Sequence, residues 1–167
     1  MSLLLLLFWL ISGVTLQVAV PAWRHMGQPA FPFLLAVVLY VAVNKRKTRT
    51  FVATALLAGV LEDALSLAPL GFSACSFLAA GGLALLLRED FFADQARTVL
   101  WFGALCSAAA TGAMGLLLRG ADLVALTGGA LLRRMTGAAV LGAVLIPVLF
   151  ALMRRMERLL GTWEDRG

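Results

Sequence analysis

Charge is scarce in this chain of 167 residues, where Asp, Glu, Lys and Arg together make up only 14%. Ordinary soluble domains carry about 25%. Histidine is scarcer still, since His25 stands alone beside Arg24. Without a cluster of histidine, cysteine and carboxylate there is no metal-site signature, and no cofactor is expected. The chain has no Gly-x-Ser-x-Gly elbow, no Ser/His pair at membrane depth and no glycine-rich phosphate loop. An enzyme is therefore not expected. The two cysteines, Cys75 and Cys106, both fall in apolar runs. A disulfide framework is excluded by that placement, and both are expected to pack as small buried hydrophobes. Internal repeats and low-complexity tracts are missing too, so residues 1–167 read as a single domain.

What fills the chain instead is hydrocarbon. Hydrophobic residues make up 62% and the mean hydropathy is +0.95. A water-soluble fold of this size cannot hide so much apolar surface. Each membrane-spanning helix needs about 20 apolar residues. Six runs qualify, at about 3–21, 29–43, 51–70, 72–87, 98–118 and 136–153. The expected fold is an all-α polytopic transmembrane bundle. The second run is the weakest, being short and opened by Pro29 and Pro32, and a five-span arrangement with this run re-entrant is the alternative. Trp23 and Tyr40 are candidate interfacial anchors for it. These runs are continuous rather than alternating, which argues against a β-barrel.

Basic residues set an orientation. Lys45, Arg46, Lys47 and Arg49 fall in one loop, Arg88 and Arg97 in another, and Arg154, Arg155, Arg158 and Arg166 in the tail. Only Arg24, Arg119, Arg133 and Arg134 lie opposite them. The positive-inside rule then puts both termini and the 45–49 loop in the cytoplasm. A pI near 10.2 is explained by this asymmetry, with anionic headgroups rather than nucleic acid as the partner. Leu3–Leu16 has the length of a signal-peptide core but no basic residues before it, and Val18-Ala-Val-Pro-Ala22 is a poor cleavage site.

The polar connections carry expectations of their own. Arg88–Arg97, around Phe91-Phe92, reads as a short interfacial turn. Leu123–Leu132 reads as an amphipathic surface piece or a half-inserted loop. The tail with Trp163 is expected along the cytoplasmic face. Small residues at Ala79–Gly82 and Ser107–Gly115 let helices approach closely, for internal packing or for another protein's helix. Gly137, Gly142 and Pro147 invite the same two readings, with a kink expected at Pro147.

Against this background, Glu62 and Asp63 are out of place. Both sit inside the third apolar run, and ionisable groups at membrane depth are functional candidates by default. Gly59, Asp63, Ser66 and Leu70 fall at helical spacing on one stripe. Glu62 is rotated by about 100° from Asp63, so the two acids cannot share one small site. Pro69-Leu-Gly71 reads as a tight outer turn. A carboxylate at Asp63 can cap or brace that turn, or pair with Arg119, Arg133 or Arg134. Contact with a partner helix and ion coupling are the other readings.

Gly59-Val-Leu-Glu-Asp63, a short spacer, then Pro69-Leu-Gly71 leading into a further apolar span resembles MreD, the rod shape-determining membrane protein family. Gly59, Asp63, Ser66, Pro69, Leu70 and Gly71 carry the likeness, with Phe31–Tyr40 similar to the family's second segment. The likeness covers Pro29–Leu87, and the flanks match in hydropathy alone. Two departures stand out: Glu62 adds a second acid, and Leu67-Ala68 replaces a glycine often found before the proline. The resemblance implies a non-catalytic scaffold that binds MreC. It also implies membership of a complex with MreB, RodA and a class B penicillin-binding protein. A fold like that of the substrate-binding subunits of energy-coupling factor transporters is implied as well. A vitamin-binding role of that kind, with Trp101 and the outer arginines at the site, is the alternative function.

Overall fold

A helix that is apolar on every side has to be surrounded by protein or lipid, and the second run is surrounded by protein. The computed structural model describes residues 3–19, 32–44, 48–66, 69–91, 96–123 and 127–159. Six helices follow in order: α1 (Leu3–Ala19), α2 (Phe33–Asn44), α3 (Thr48–Ser66), α4 (Phe72–Phe91), α5 (Ala96–Gly120) and α6 (Gly128–Leu159). Every residue of α2 from Phe33 to Val43 is buried, and α1, α3, α4 and α6 all pack against it. Its 12 residues make a rod of about 18 Å, well short of the roughly 30 Å hydrocarbon core. A helix this short is tolerated there because neighbouring helices rather than lipid cover its sides. The carbonyl of Pro32 accepts the first helical bond, from Ala36 N–H at 2.9 Å. Pro29 lies outside the described residues.

The other helices have two faces. On α1, Leu5, Leu6, Trp9 and Leu10 are buried, whereas Leu4, Phe8 and Ile11 are exposed. Exposed leucines and valines recur on α3, α5 and α6, among them Leu57, Val60, Leu116, Val144 and Val148. Apolar faces this extensive are not left to water.

Glycines set how closely the helices approach. At the α5–α6 crossing a Cβ on Gly103 would lie 2.5 Å from the Gly142 carbonyl, and one on Gly142 would collide with Ser107. Further along, Met135 covers Gly112 and Leu131 covers Gly115. The pairings of 103 with 142 and 115 with 131 make the two helices antiparallel. Phe51 of α3 lies over Gly81 of α4 in the same fashion. These small residues therefore serve packing between the chain's own helices.

Several expectations are corrected. Tyr40 is no interfacial anchor, since it is 1% exposed and its ring meets Phe150 edge-on at 5.3 Å between centroids. Cys106 is buried as expected, but Cys75 is exposed, because it falls on the outer face of α4 while its neighbours Ala74 and Ser76 point inward. The Leu123–Leu132 piece is not one unit, since its second half belongs to α6, while residues 124–126 lie outside the described residues. The chain turns at Ala121–Leu123, with Asp122 at φ 54°, and residues from Gly128 onward already belong to α6. That helix runs 32 residues through Pro147, well past both ends of the 136–153 run. Trp23, Phe92 and Trp163 lie outside the described residues.

Candidate functional site at the α3–α4 turn

Gly59 and Asp63 are one turn apart on α3, and the start of α4 lies against both. A Cβ at Gly59 would be driven into the backbone of Ala74 and sit 2.6 Å from its Cβ. Only a glycine lets the first turn of α4 approach this closely. Asp63, one turn further on, is thereby brought within reach of the N–H groups that open α4. Gly71 N–H donates to Asp63 Oδ2 at 2.6 Å, and Ser73 N–H donates to Oδ1 at 3.0 Å. The first N–H groups of any helix lack intrahelical acceptors. Here the acceptor comes from a neighbouring helix, and its negative charge also suits the positive end of the α4 dipole.

The turn completes this arrangement. Phe72 N–H donates to the Pro69 carbonyl at 3.3 Å, and Cys75 N–H makes the first helical bond to the Gly71 carbonyl at 2.9 Å. Gly71 takes φ +100°, the left-handed region that a type II turn requires of its third residue. Asp63 is 1% exposed, and with both oxygens occupied by backbone donors it acts as a structural clamp. No arginine reaches it among the described residues. Ser66, the last residue of α3, is exposed, as are Pro69 and Leu70. The stripe therefore holds for Gly59 and Asp63 and dissolves where the helix ends.

Glu62 faces elsewhere. Gln17 Nε2, from α1, donates to both of its carboxylate oxygens at 2.6 and 2.7 Å. Gln17 Oε1 is buried and meets no donor among the described residues. The two acids thus serve two seams: Asp63 the α3–α4 junction, Glu62 the α1–α3 junction. Of the basic loop, Arg49 is exposed on the first turn of α3. Lys45, Arg46 and Lys47 lie outside the described residues.

A third carboxylate escaped the sequence reading, which assigned it to the tail. Glu157 on α6 is buried and accepts a hydrogen bond from Tyr40 Oη of α2 at 2.7 Å. The signal for it was present: Ile146, Leu149, Phe150, Met153 and Glu157 form one inward stripe at helical spacing. The arginine pair Arg154–Arg155 interrupts that stripe in sequence but not on the helix face. Among the described residues no three histidine, cysteine or carboxylate side chains are placed to hold a metal ion.

A bundle of apolar helices with lipid-type outer faces, braced at one hairpin by a buried carboxylate, has the character of a helical membrane protein. The chain matches the family of rod shape-determining protein MreD over residues 1–156, and it belongs to that family. No curated protein and no solved structure matches it.

Proposed function

We propose that the protein is a non-catalytic scaffold of the bacterial rod complex that binds MreC directly and helps organise lateral peptidoglycan synthesis. The observation that carries this reading is the family match, which extends over nearly the whole chain. The site supports it in kind, because each carboxylate oxygen of Asp63 already accepts from a backbone N–H at the start of α4. MreB, RodA and a class B penicillin-binding protein are further members of the same assembly. In this reading the chain is one multi-pass domain of the cytoplasmic membrane. It makes six passes, with α2 as a short enclosed segment. Both termini and the Lys45–Arg49 loop face the cytoplasm, where the basic residues meet anionic headgroups. The vitamin-binding alternative has no observation in its favour among the described residues.

Co-purification tests the claim. MreC should remain with the full chain through detergent extraction, and depletion of the chain should round up rod-shaped cells. Absence of MreC from the purified protein, in cells that stay rod-shaped on depletion, would refute it.

A further inference from the structure

The long α5–α6 pair does not overhang the other helices equally at both ends. The Tyr40 Oη–Glu157 bond and the Tyr40–Phe150 ring contact put the last turns of α2 and α6 side by side. Only residues 45–47 separate α2 from α3, so α3 starts near that same level. From there α3 extends 19 residues, and α6, followed back from Leu159, extends 32. Those lengths are about 28 and 48 Å. The start of α4 lies against Gly59 of α3, so α4 reaches no further than the turn that joins them. Helix α5 keeps pace with α6 through the pairing of Gly115 with Leu131. The α5–α6 hairpin therefore overhangs the α3–α4 turn by about 15–20 Å.

This overhang has a closed seam and an open face. Leu131 covers Gly115 and Met135 covers Gly112, which fills the space between the two helices. In an antiparallel pair, the residues that follow a contact on each helix point to the same side, about 100° from the contact. Leu116 and Leu132 follow the 115–131 contact, so they share one face, and they are 62% and 63% exposed. Arg119, one turn beyond Leu116, and Arg133, next to Leu132, are exposed beside them. No partner reaches either guanidinium among the described residues.

Hydrocarbon does not cover this face. Arg133 and Arg154 lie about 31 Å apart along α6, matching the roughly 30 Å hydrocarbon core. Leu132, and Leu116 level with it, stand beyond that core. Headgroup phosphates would satisfy the arginines and leave the leucines in water. A second copy on a two-fold axis would set the same arginines against each other, since such an interface is self-complementary. An apolar centre edged by two cations is complementary to a polypeptide whose apolar side chains are flanked by carboxylates.

We propose that this face of the α5–α6 overhang is a docking site for a protein segment that is apolar along one side and edged by carboxylates. On the topology proposed above, it meets that segment outside the cytoplasmic membrane. The inference deepens the rod-complex reading, in which the segment belongs to MreC, and rests on that reading for the partner's identity.

The test compares the full chain with two double variants at exposed positions, Arg119→Glu/Arg133→Glu and Leu116→Ser/Leu132→Ser. Both should unfold at the parent's midpoint. On co-expression with MreC, retention through detergent extraction should fall about tenfold in each, equivalent to about 1.4 kcal/mol. Undiminished retention in either variant overturns the site. So does a midpoint well below the parent's in the leucine variant, because the chain itself would then cover that face. A midpoint that rises in phosphatidylglycerol nanodiscs for the parent but not for the arginine variant, with MreC retention unchanged, assigns the face to lipid and overturns it likewise. If the parent retains no MreC, the rod-complex reading fails on that ground, and a synthetic helix decides the site. Its leucine side is edged by glutamates in one version and by lysines in the other. Each is titrated onto the chain in phosphatidylcholine nanodiscs, with empty discs as the blank. Preference for the glutamate version, abolished by the arginine reversal, supports the site, and equal binding of the two versions overturns it.

Discussion

Asp63 and the two glycines beside its turn act through different physics, and substitution separates them. Asp63→Ala leaves the Gly71 and Ser73 N–H groups without their acceptor. Losing hydrogen bonds to a charged group costs about 1.5–3 kcal/mol, so a marked fall in unfolding midpoint is expected in detergent. Asp63→Asn keeps one carbonyl acceptor and should lose roughly half as much. Equal losses for both variants would show that charge, not the bonds, dominates. At Gly71 a methyl group meets nothing within 4 Å, so Gly71→Ala is penalised only by its left-handed backbone, about 1–2 kcal/mol. At Gly59 the backbone of Ala74 is in the way, and Gly59→Ala must push α4 off α3. It should destabilise more than Gly71→Ala, whereas Gly82→Ala, with open space around it, should be close to neutral. Thermal melts of the three variants give the ranking directly.

Between helices, the same logic ranks the α5–α6 and α2–α6 contacts. Gly142→Ala collides with Ser107 and with the Gly103 carbonyl, so the two longest helices must separate along their crossing. Tyr40→Phe preserves the edge-on packing with Phe150 but removes the O–H that Glu157 accepts. A fall of about 1–3 kcal/mol is expected, and Glu157→Gln should be milder because an amide still accepts from Tyr40. Denaturation of the purified variants checks both, and a Tyr40→Phe protein as stable as the parent would show the bond to be dispensable. These contacts also show what the sequence can reveal. The helices themselves were legible, because long apolar runs admit little else. The turn was legible too, because proline, glycine and an acid about two helical turns before them have few uses together. What α2 does was not legible: uniform apolarity cannot distinguish a weak span from a central one, and only the faces of its neighbours decide. The outer limits of α6 were hidden for a related reason. Arginines at either end of an apolar run look like loop residues, while a helix that leaves the hydrocarbon simply continues with them on its solvent side.

At the scale of the molecule, the six helices divide into a short set and a long pair. Helices α1 to α4 measure 17, 12, 19 and 20 residues, so the tallest of them is about 30 Å at 1.5 Å per residue. Helices α5 and α6, at 25 and 32 residues, are about 38 and 48 Å long and must project beyond a roughly 30 Å hydrocarbon core. Pairing of Gly103 with Gly142 and of Gly115 with Leu131 puts the loop at Ala121–Leu123 at one end of this pair and Leu159 at the other. The same antiparallel reasoning puts Leu70, in the α3–α4 turn, at the end occupied by Ala121–Leu123. Arg49, opening α3, falls at the end occupied by Leu159. A topology with cytoplasmic termini therefore makes a paired prediction. In a background with Cys75 and Cys106 replaced by alanine, single cysteines at the exposed positions Leu70 and Asp122 should react with a membrane-impermeant maleimide on intact spheroplasts. Cysteines at Arg49 and Leu159 should react only after the membrane is opened. Labelling of the second pair in intact spheroplasts would invert the protein in the membrane.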